Sequence, residues 1–198
     1  QVVEDRSGIS VLPVYEIQGD VDLSTGNIDF VGSVIVKGNV KEGFEIKAEG
    51  NVEVKGNVSA ASIKCEGEVV IHKGFIGKGK GSIKAKNVVK VKFVENGYIE
   101  TEQDILIKDA VMHGELVAEG KIKIAGKKGL LVGGKHRAGN EIKANIIGND
   151  LATVTILEAG INPHLKNQYR EISQEMKKIK RNLMKTKRAL NIINRNQN

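Results

Sequence analysis

An apolar repeat with a period near seventeen runs from Gly26 to Ala125 and restricts what this chain can fold into more than any other feature. The pairs Ile46/Ala48, Ile63/Cys65, Ile83/Ala85, Ile99/Thr101 and Leu116/Ala118 have first members 17, 20, 16 and 17 residues apart. A second pair follows each of them: Val52/Val54, Val69/Ile71, Val89/Val91, Ile105/Ile107 and Ile122/Ile124. Single apolar positions come behind, at Val40, Val58, Ile76, Val94 and Val111. Each run alternates apolar and polar residues over three to five positions, which is the period of a strand. Val and Ile dominate the runs and suit a half-buried, pleated surface. Separate hairpins would need a tight turn between paired runs. A three-run unit that returns at nearly constant length predicts instead one rung of a parallel β-helix per unit.

In that arrangement Ile46, Ile63, Ile83, Ile99 and Leu116 stack inside the coil, and Ala48, Cys65, Ala85, Thr101 and Ala118 form a neighbouring column of small residues. Lys47, Lys64, Lys84 and Glu100 lie between them and face water. Gly38, Gly50, Gly56, Gly67, Gly97 and Gly114 suit corners that need positive φ or close backbone approach. The drift in repeat length favours a right-handed coil over a strict hexapeptide, left-handed one. The expected fold is therefore mainly β: a single-stranded right-handed parallel β-helix of about 17–18 residues per coil, followed by a C-terminal coiled-coil α-helix. Its expected parts are 1–18, the end of a preceding domain or a connector; 19–160, the β-helix; and 161–198, a truncated coiled-coil helix. Within the first part, Val11 to Ile17 reads as a strand demoted to an edge by Pro13. Gln1 in place of Met marks the chain as an expected fragment.

The lone Cys65 rules out an intrachain disulfide, and its inward position makes it a core residue rather than a reactive thiol. No apolar run approaches the roughly 18 residues of a membrane span and no secretory signal is visible, so the expected compartment is the cytoplasm. The net charge of +7 is unevenly placed. From Leu165 onward ten basic residues face only Glu171 and Glu175, which leaves the rest of the chain at −1.

Several motifs resemble chemical sites and fail on spacing. The acids in Gly19 to Phe30 lack the EF-hand order that ends in a bidentate Glu, and read as turns. Gly74 to Gly81, rich in Gly and Lys, reads as a solvated corner loop protruding from the coil, without the helix N-terminus that anion binding favours. Gly129-Leu130-Leu131-Val132-Gly133-Gly134-Lys135 fits the G-x-x-x-x-G-K spacing of a P-loop. His136 follows where a Ser or Thr hydroxyl is required, and no helix comes after. That stretch is expected to be irregular, with an insertion from Gly133 to Asn140. The repeat then resumes at Ile142/Ala144 and closes with Val154 and Ile156. His72, His113, His136 and His164 show no metal-ligand spacing. No catalytic residues, metal ligands or cofactor are expected.

Asn162 and Pro163 read as the cap and first position of a helix. Leu165, Tyr169, Ile172, Met176, Ile179, Leu183, Thr186, Leu190 and Ile193 then recur at steps of four and three, an a/d pattern of about four heptads. All of them except the weak position Thr186 are the candidate partner-binding seam. The narrow stripe points to a partner helix, acidic by charge complementarity, supplied by the same chain or by a second copy as a homo-oligomer. Nucleic acid and membrane are the disfavoured partners, because Tyr169 is the one aromatic ring in this segment.

Gly19 to Phe30 followed by Val34-Ile35-Val36-Lys37-Gly38-Asn39-Val40 resembles the flagellar assembly protein A family. So do Gly129 to Gly139 with Ile142-Lys143-Ala144 and Ile147-Gly148, and Leu157-Glu158-Ala159-Gly160 leading through Asn162-Pro163 into a coiled coil. The resemblance runs from about Tyr15 to the C-terminus. It implies a bacterial, cytoplasmic protein with a right-handed β-helix, a coiled-coil element and a separate N-terminal domain that this chain lacks. It also implies a non-enzymatic scaffold in flagellar assembly or polar organisation, with protein partners that include a phosphotransferase-system signalling protein. Two rivals remain at this stage. One is a basic coiled-coil module that binds nucleic acid or anionic membrane. The other is a β-helix enzyme, which would need a cleft with converging His or carboxylate groups.

Overall fold

The computed structural model describes the backbone of residues 2–5, 8–11, 13–160 and 163–195, and the side chains of residues 13–160, 169 and 171–186. It divides into two units, one up to Asn162 and one from Pro163. The first is mainly β, a parallel β-solenoid of about 8 turns. A short antiparallel hairpin, Val2–Asp5 with Gly8–Val11, precedes it.

Three strand columns make the solenoid wall, and each keeps its register from rung to rung. The first stacks Tyr15/Ile17, Val34/Val36, Val52/Val54, Val69/Ile71, Val89/Val91, Ile105/Ile107, Ile122/Ile124 and Ile142/Ala144. The second stacks Ile28/Phe30, Ile46/Ala48, Ile63/Cys65, Ile83/Ala85, Ile99/Thr101, Leu116/Ala118, His136/Ala138 and Leu157/Ala159. The third stacks Val21, Val40, Val58, Phe75, Val94, Val111, Leu131 and Ile147. Side chains of the middle rungs are fully buried, among them Ile46, Ile63, Ile83, Ile99 and Leu116. A fully buried Val or Ile contributes about 1.5–3 kcal/mol. The outward residues pair between rungs, Lys64 with Glu45 at 3.0 Å and Lys90 with Glu68 at 2.7 Å. Such exposed pairs contribute about 0–1 kcal/mol each, so the stacked interior sets the fold.

Five details differ from the expected layout. The ladder opens with Val14–Ile17, which pairs with Ser33–Val36, so the solenoid takes in residues ahead of Gly19. Phe75, not Ile76, occupies the third inward column, in register with Val58 and Val94. The large ring fits because Gly97 is next to it: a Cβ there would lie 2.4 Å from Phe75 Cε1. Gly74 to Gly77 is likewise wall rather than loop, and only Lys78, Gly79 and Lys80 form an exposed corner, with φ of 49° and 73° at the first two. Leu130–Ala138 continues the ladder against Ile105–Ala118 with no insertion from Gly133 to Asn140. In the last rung it is Leu157 and Ala159, not Val154 and Ile156, that stand in register with His136 and Ala138.

The corner glycines are there for close approach. Gly38, Gly50, Gly56 and Gly67 do not have positive φ. Gly38 N–H donates to Gly19 and Gly56 N–H to Gly38, with Gly50 and Gly67 repeating the pattern on Gly32 and Gly50. A Cβ at Gly56 would lie 2.4 Å from the Gly38 carbonyl oxygen. Beside this glycine column an amide ladder satisfies the corner backbone. Asp20 Oδ1 accepts from Asn39 N–H at 2.6 Å, Asn39 Oδ1 from Asn57 N–H at 2.9 Å, and Asn57 Oδ1 from Gly74 N–H at 2.9 Å.

Gly56→Ala is therefore expected to cost about 2 kcal/mol or more. Gly19→Ala, at the head of the same column with nothing within 4 Å of its would-be Cβ, should stay within about 0.5 kcal/mol of the parent. Urea denaturation of both variants checks the pair of expectations.

Candidate functional site

The second unit is one helix, α1 (Pro163–Arg195). The proposed cap Asn162 lies outside the described residues, as does Ile161. Tyr169, Ile172, Met176, Ile179 and Leu183 are 75, 64, 52, 60 and 54% exposed, respectively, and Met184 flanks them at 62%. Residues three and four apart share a helix face, so these five side chains form one apolar stripe open to solvent. Leu165, Leu190 and Ile193 fall within α1, but their side chains lie outside those described. At the weak seam position, Thr186 Oγ1 donates to the Asn182 carbonyl at 3.0 Å, so its hydroxyl is satisfied on the helix itself. Helices gain most of their stability from packing of an amphipathic face, and among the described residues this stripe is left exposed.

The chemical groups of the solenoid are mostly absorbed into its structure. Asp20 accepts from Asn39 and pairs with Lys41 at 2.9 Å, and the Asn39 N–H holds its carboxyl below the ordinary range. Asp22 accepts from Ser24 N–H and Oγ, which caps a turn. Among the described residues no group of three or more His, Cys, Asp or Glu side chains is placed to hold a metal ion. The P-loop-like stretch is strand, Lys135 pairs with Glu158 at 3.0 Å, and Leu131 points into the core. His72 sits on the outer wall against Glu53 at 2.6 Å. Cys65 is buried between Ala48 and Ala85, and burial pushes its thiol up to about 11.

His136 is the one chemically unusual group that sequence reasoning missed. It is fully buried, in register between Leu116 and Leu157. Nε2–H donates to the Gly133 carbonyl at 3.0 Å, and Nδ1 is buried without a partner. Burial lowers its pKa from the ordinary 6.5, opposed by the Gly133 carbonyl and by Glu115. Gly134-x-His136-x-Ala138 repeats the Gly114-x-Leu116-x-Ala118 and Gly81-x-Ile83-x-Ala85 signatures, and that match would have placed it inside.

Two outcomes follow from these environments. The unfolded chain binds a proton to His136 near pH 6.5 while the folded chain resists it, so the unfolded state holds more protons below that pH. The wild type should therefore lose stability relative to His136→Leu as pH falls below 6.5, and the gap should be constant above it; denaturation midpoints across pH measure this. Cys65 should react with an aromatic disulfide reagent only after unfolding, because its thiolate is scarce and its sulfur enclosed; stopped-flow absorbance with and without denaturant checks it.

No curated protein and no solved structure matches the chain. The family model of the flagellar assembly protein A β-solenoid domain matches residues 13–198, which takes in every rung of the solenoid and the whole of α1. The chain belongs to the flagellar assembly protein A β-solenoid family.

Proposed function

We propose that this protein is a non-enzymatic bacterial scaffold in flagellar assembly or polar organisation, acting in the cytoplasm. The observation that carries the reading is the exposed stripe Tyr169–Ile172–Met176–Ile179–Leu183 at heptad spacing on α1. Family membership supplies the link to flagellar assembly. The solenoid is a rigid post in this reading, wound right-handed as parallel crossovers generally are. α1 pairs as a coiled coil with an acidic helix, from the same protein, from a second copy or from another assembly protein. A phosphotransferase-system signalling protein is the partner class that the family resemblance adds. The lack of an enzymatic role is supported by where the reactive groups lie. Among the described residues, neither His72 nor His136 is hydrogen-bonded to a hydroxyl or thiol. Among the described residues no helix is long and apolar enough to cross a membrane.

A second reading rests on the charge of α1, where basic residues surround the stripe. In it the helix holds nucleic acid or an anionic membrane, and binding falls steeply with salt through counterion release. Capture of partners by the full-length protein from its native cell separates the two. Ile172→Lys/Ile179→Lys should abolish a stoichiometric protein complex that persists at raised salt. Unchanged capture by that variant would count against the seam.

A further inference from the structure

Taken as a whole the solenoid is nearly neutral, but one rung is not. Residues 121–138 hold six basic residues, Lys121, Lys123, Lys127, Lys128, Lys135 and Arg137, and no acid. Three are answered by acids of adjoining rungs: Lys121 by Glu141 at 3.8 Å, Lys135 by Glu158 at 3.0 Å and Arg137 by Glu115 at 2.7 Å. Lys123, Lys127 and Lys128 form no ion pair among the described residues, and neither do Lys108 one rung before and Lys143 one rung after. Elsewhere on the wall the lysines are largely compensated, as Lys37, Lys41, Lys55, Lys64 and Lys90 show.

These five lysines gather where the first strand column turns toward the third. Lys123 lies in register between Leu106 and Lys143, at a depression of about 310 Å³ that Lys121, Asp104 and Glu141 also line, with Glu141 facing Lys121. Lys127 and Lys128 occupy the corner that follows. Asn145 Nδ2 donates to the Gly126 carbonyl at 2.9 Å and Ile146 N–H to the Gly129 carbonyl at 3.1 Å, which sets Ile146 beside the two corner lysines. Ile146 is 55% exposed, while Ile147 continues the inward column on Leu131. Uncompensated cations thus adjoin a bare aliphatic side chain at this corner.

We propose that this corner is a peripheral docking surface for an anionic lipid membrane. Lysine acts as a point charge without directional demand, which suits a field of lipid phosphates. The aliphatic side chain beside it has a place in the headgroup–acyl boundary, and none on a nucleic-acid backbone. No Phe, Tyr or Trp occurs from Gln103 to Gly160, so the surface lacks the large-ring stacking platform of single-strand binders. It also lacks the Trp, Tyr and free Arg that anchor protein interfaces, since Arg137 is held by Glu115. The expectation that membrane is a disfavoured partner concerns the C-terminal segment, and it takes the solenoid as balanced without resolving its charge by rung. The proposal is independent of the helix seam.

Flotation of the full chain with vesicles of phosphatidylcholine, and of phosphatidylcholine mixed equally with phosphatidylglycerol, tests it. The wild type should bind only the anionic vesicles. Lys123→Glu/Lys127→Glu/Lys128→Glu should weaken that binding at least tenfold, on the order of what three reversed charges near a lipid surface imply. The control Lys73→Glu/Lys80→Glu should bind as the wild type does. Because α1 is also basic, hydrogen exchange of the wild type on anionic vesicles supplies a reading without any variant, with slowed exchange expected at residues 123–130 and 145–151. Equal flotation of the triple variant, equal binding to neutral vesicles, protection confined to α1, or preferential binding of duplex DNA by the same lysines would each overturn the proposal.

Discussion

The structure depends on parallel register between successive rungs. Each inner strand of the solenoid exchanges backbone hydrogen bonds with the strand one turn before and one turn after, so most inward residues stack on residues of like kind. Side chains alternate faces with a period of two, and a slip of one residue would turn a whole inward column outward. The rows Ile46–Ile63–Ile83–Ile99–Leu116 and Ala48–Cys65–Ala85–Thr101–Ala118 show the consequence: size is conserved along a column because the available width is. Corners impose the complementary demand. There the backbone of one rung approaches the next closely enough that Gly38, Gly50, Gly56 and Gly67 have no room for a Cβ.

Repetition made most of this legible before any coordinates. A column is visible in sequence when its members share a residue class and a constant offset, as the two paired columns do. It is lost when one member departs in size or polarity. His136 broke the apolar class and so was read as part of an insertion, although its Gly-x-His-x-Ala frame is regular. Ile76 displaced Phe75 in the reading because it resembles the Val residues above and below. The structure takes the ring, and Gly97 opens the space for it. The first rung was missed at Val14–Ile17 because Pro13 suggested an edge, whereas the proline merely precedes the strand. The stripe on α1 is periodic and hence readable, whereas an occupant for it would be a property of another surface.

What the fold leaves over narrows the functional account. Groups that ordinarily perform chemistry are spent on structure: Cys65 is enclosed, His136 is held neutral in the core, and Asp20 and Asp22 hold turns and corners. Two features remain unspent, and they differ in kind. The stripe on α1 is apolar, and a complementary helix is the occupant proposed for it. The corner around Lys123, Lys127 and Lys128 is an electrostatic surplus, invisible in a whole-chain charge because acids on other rungs balance it.

The register is most directly measured by cross-linking neighbouring rungs. Lys64 and Lys84 are in-register partners on the outer face, and adjacent parallel strands lie about 4.8 Å apart, within the Cα range of a disulfide. Lys64→Cys/Lys84→Cys should form an intramolecular bond under mild oxidation of the folded protein, while Lys64→Cys/Ala85→Cys, whose second position faces inward, should not. A bond to position 85 and none to position 84 would contradict the stacked ladder on which the account rests.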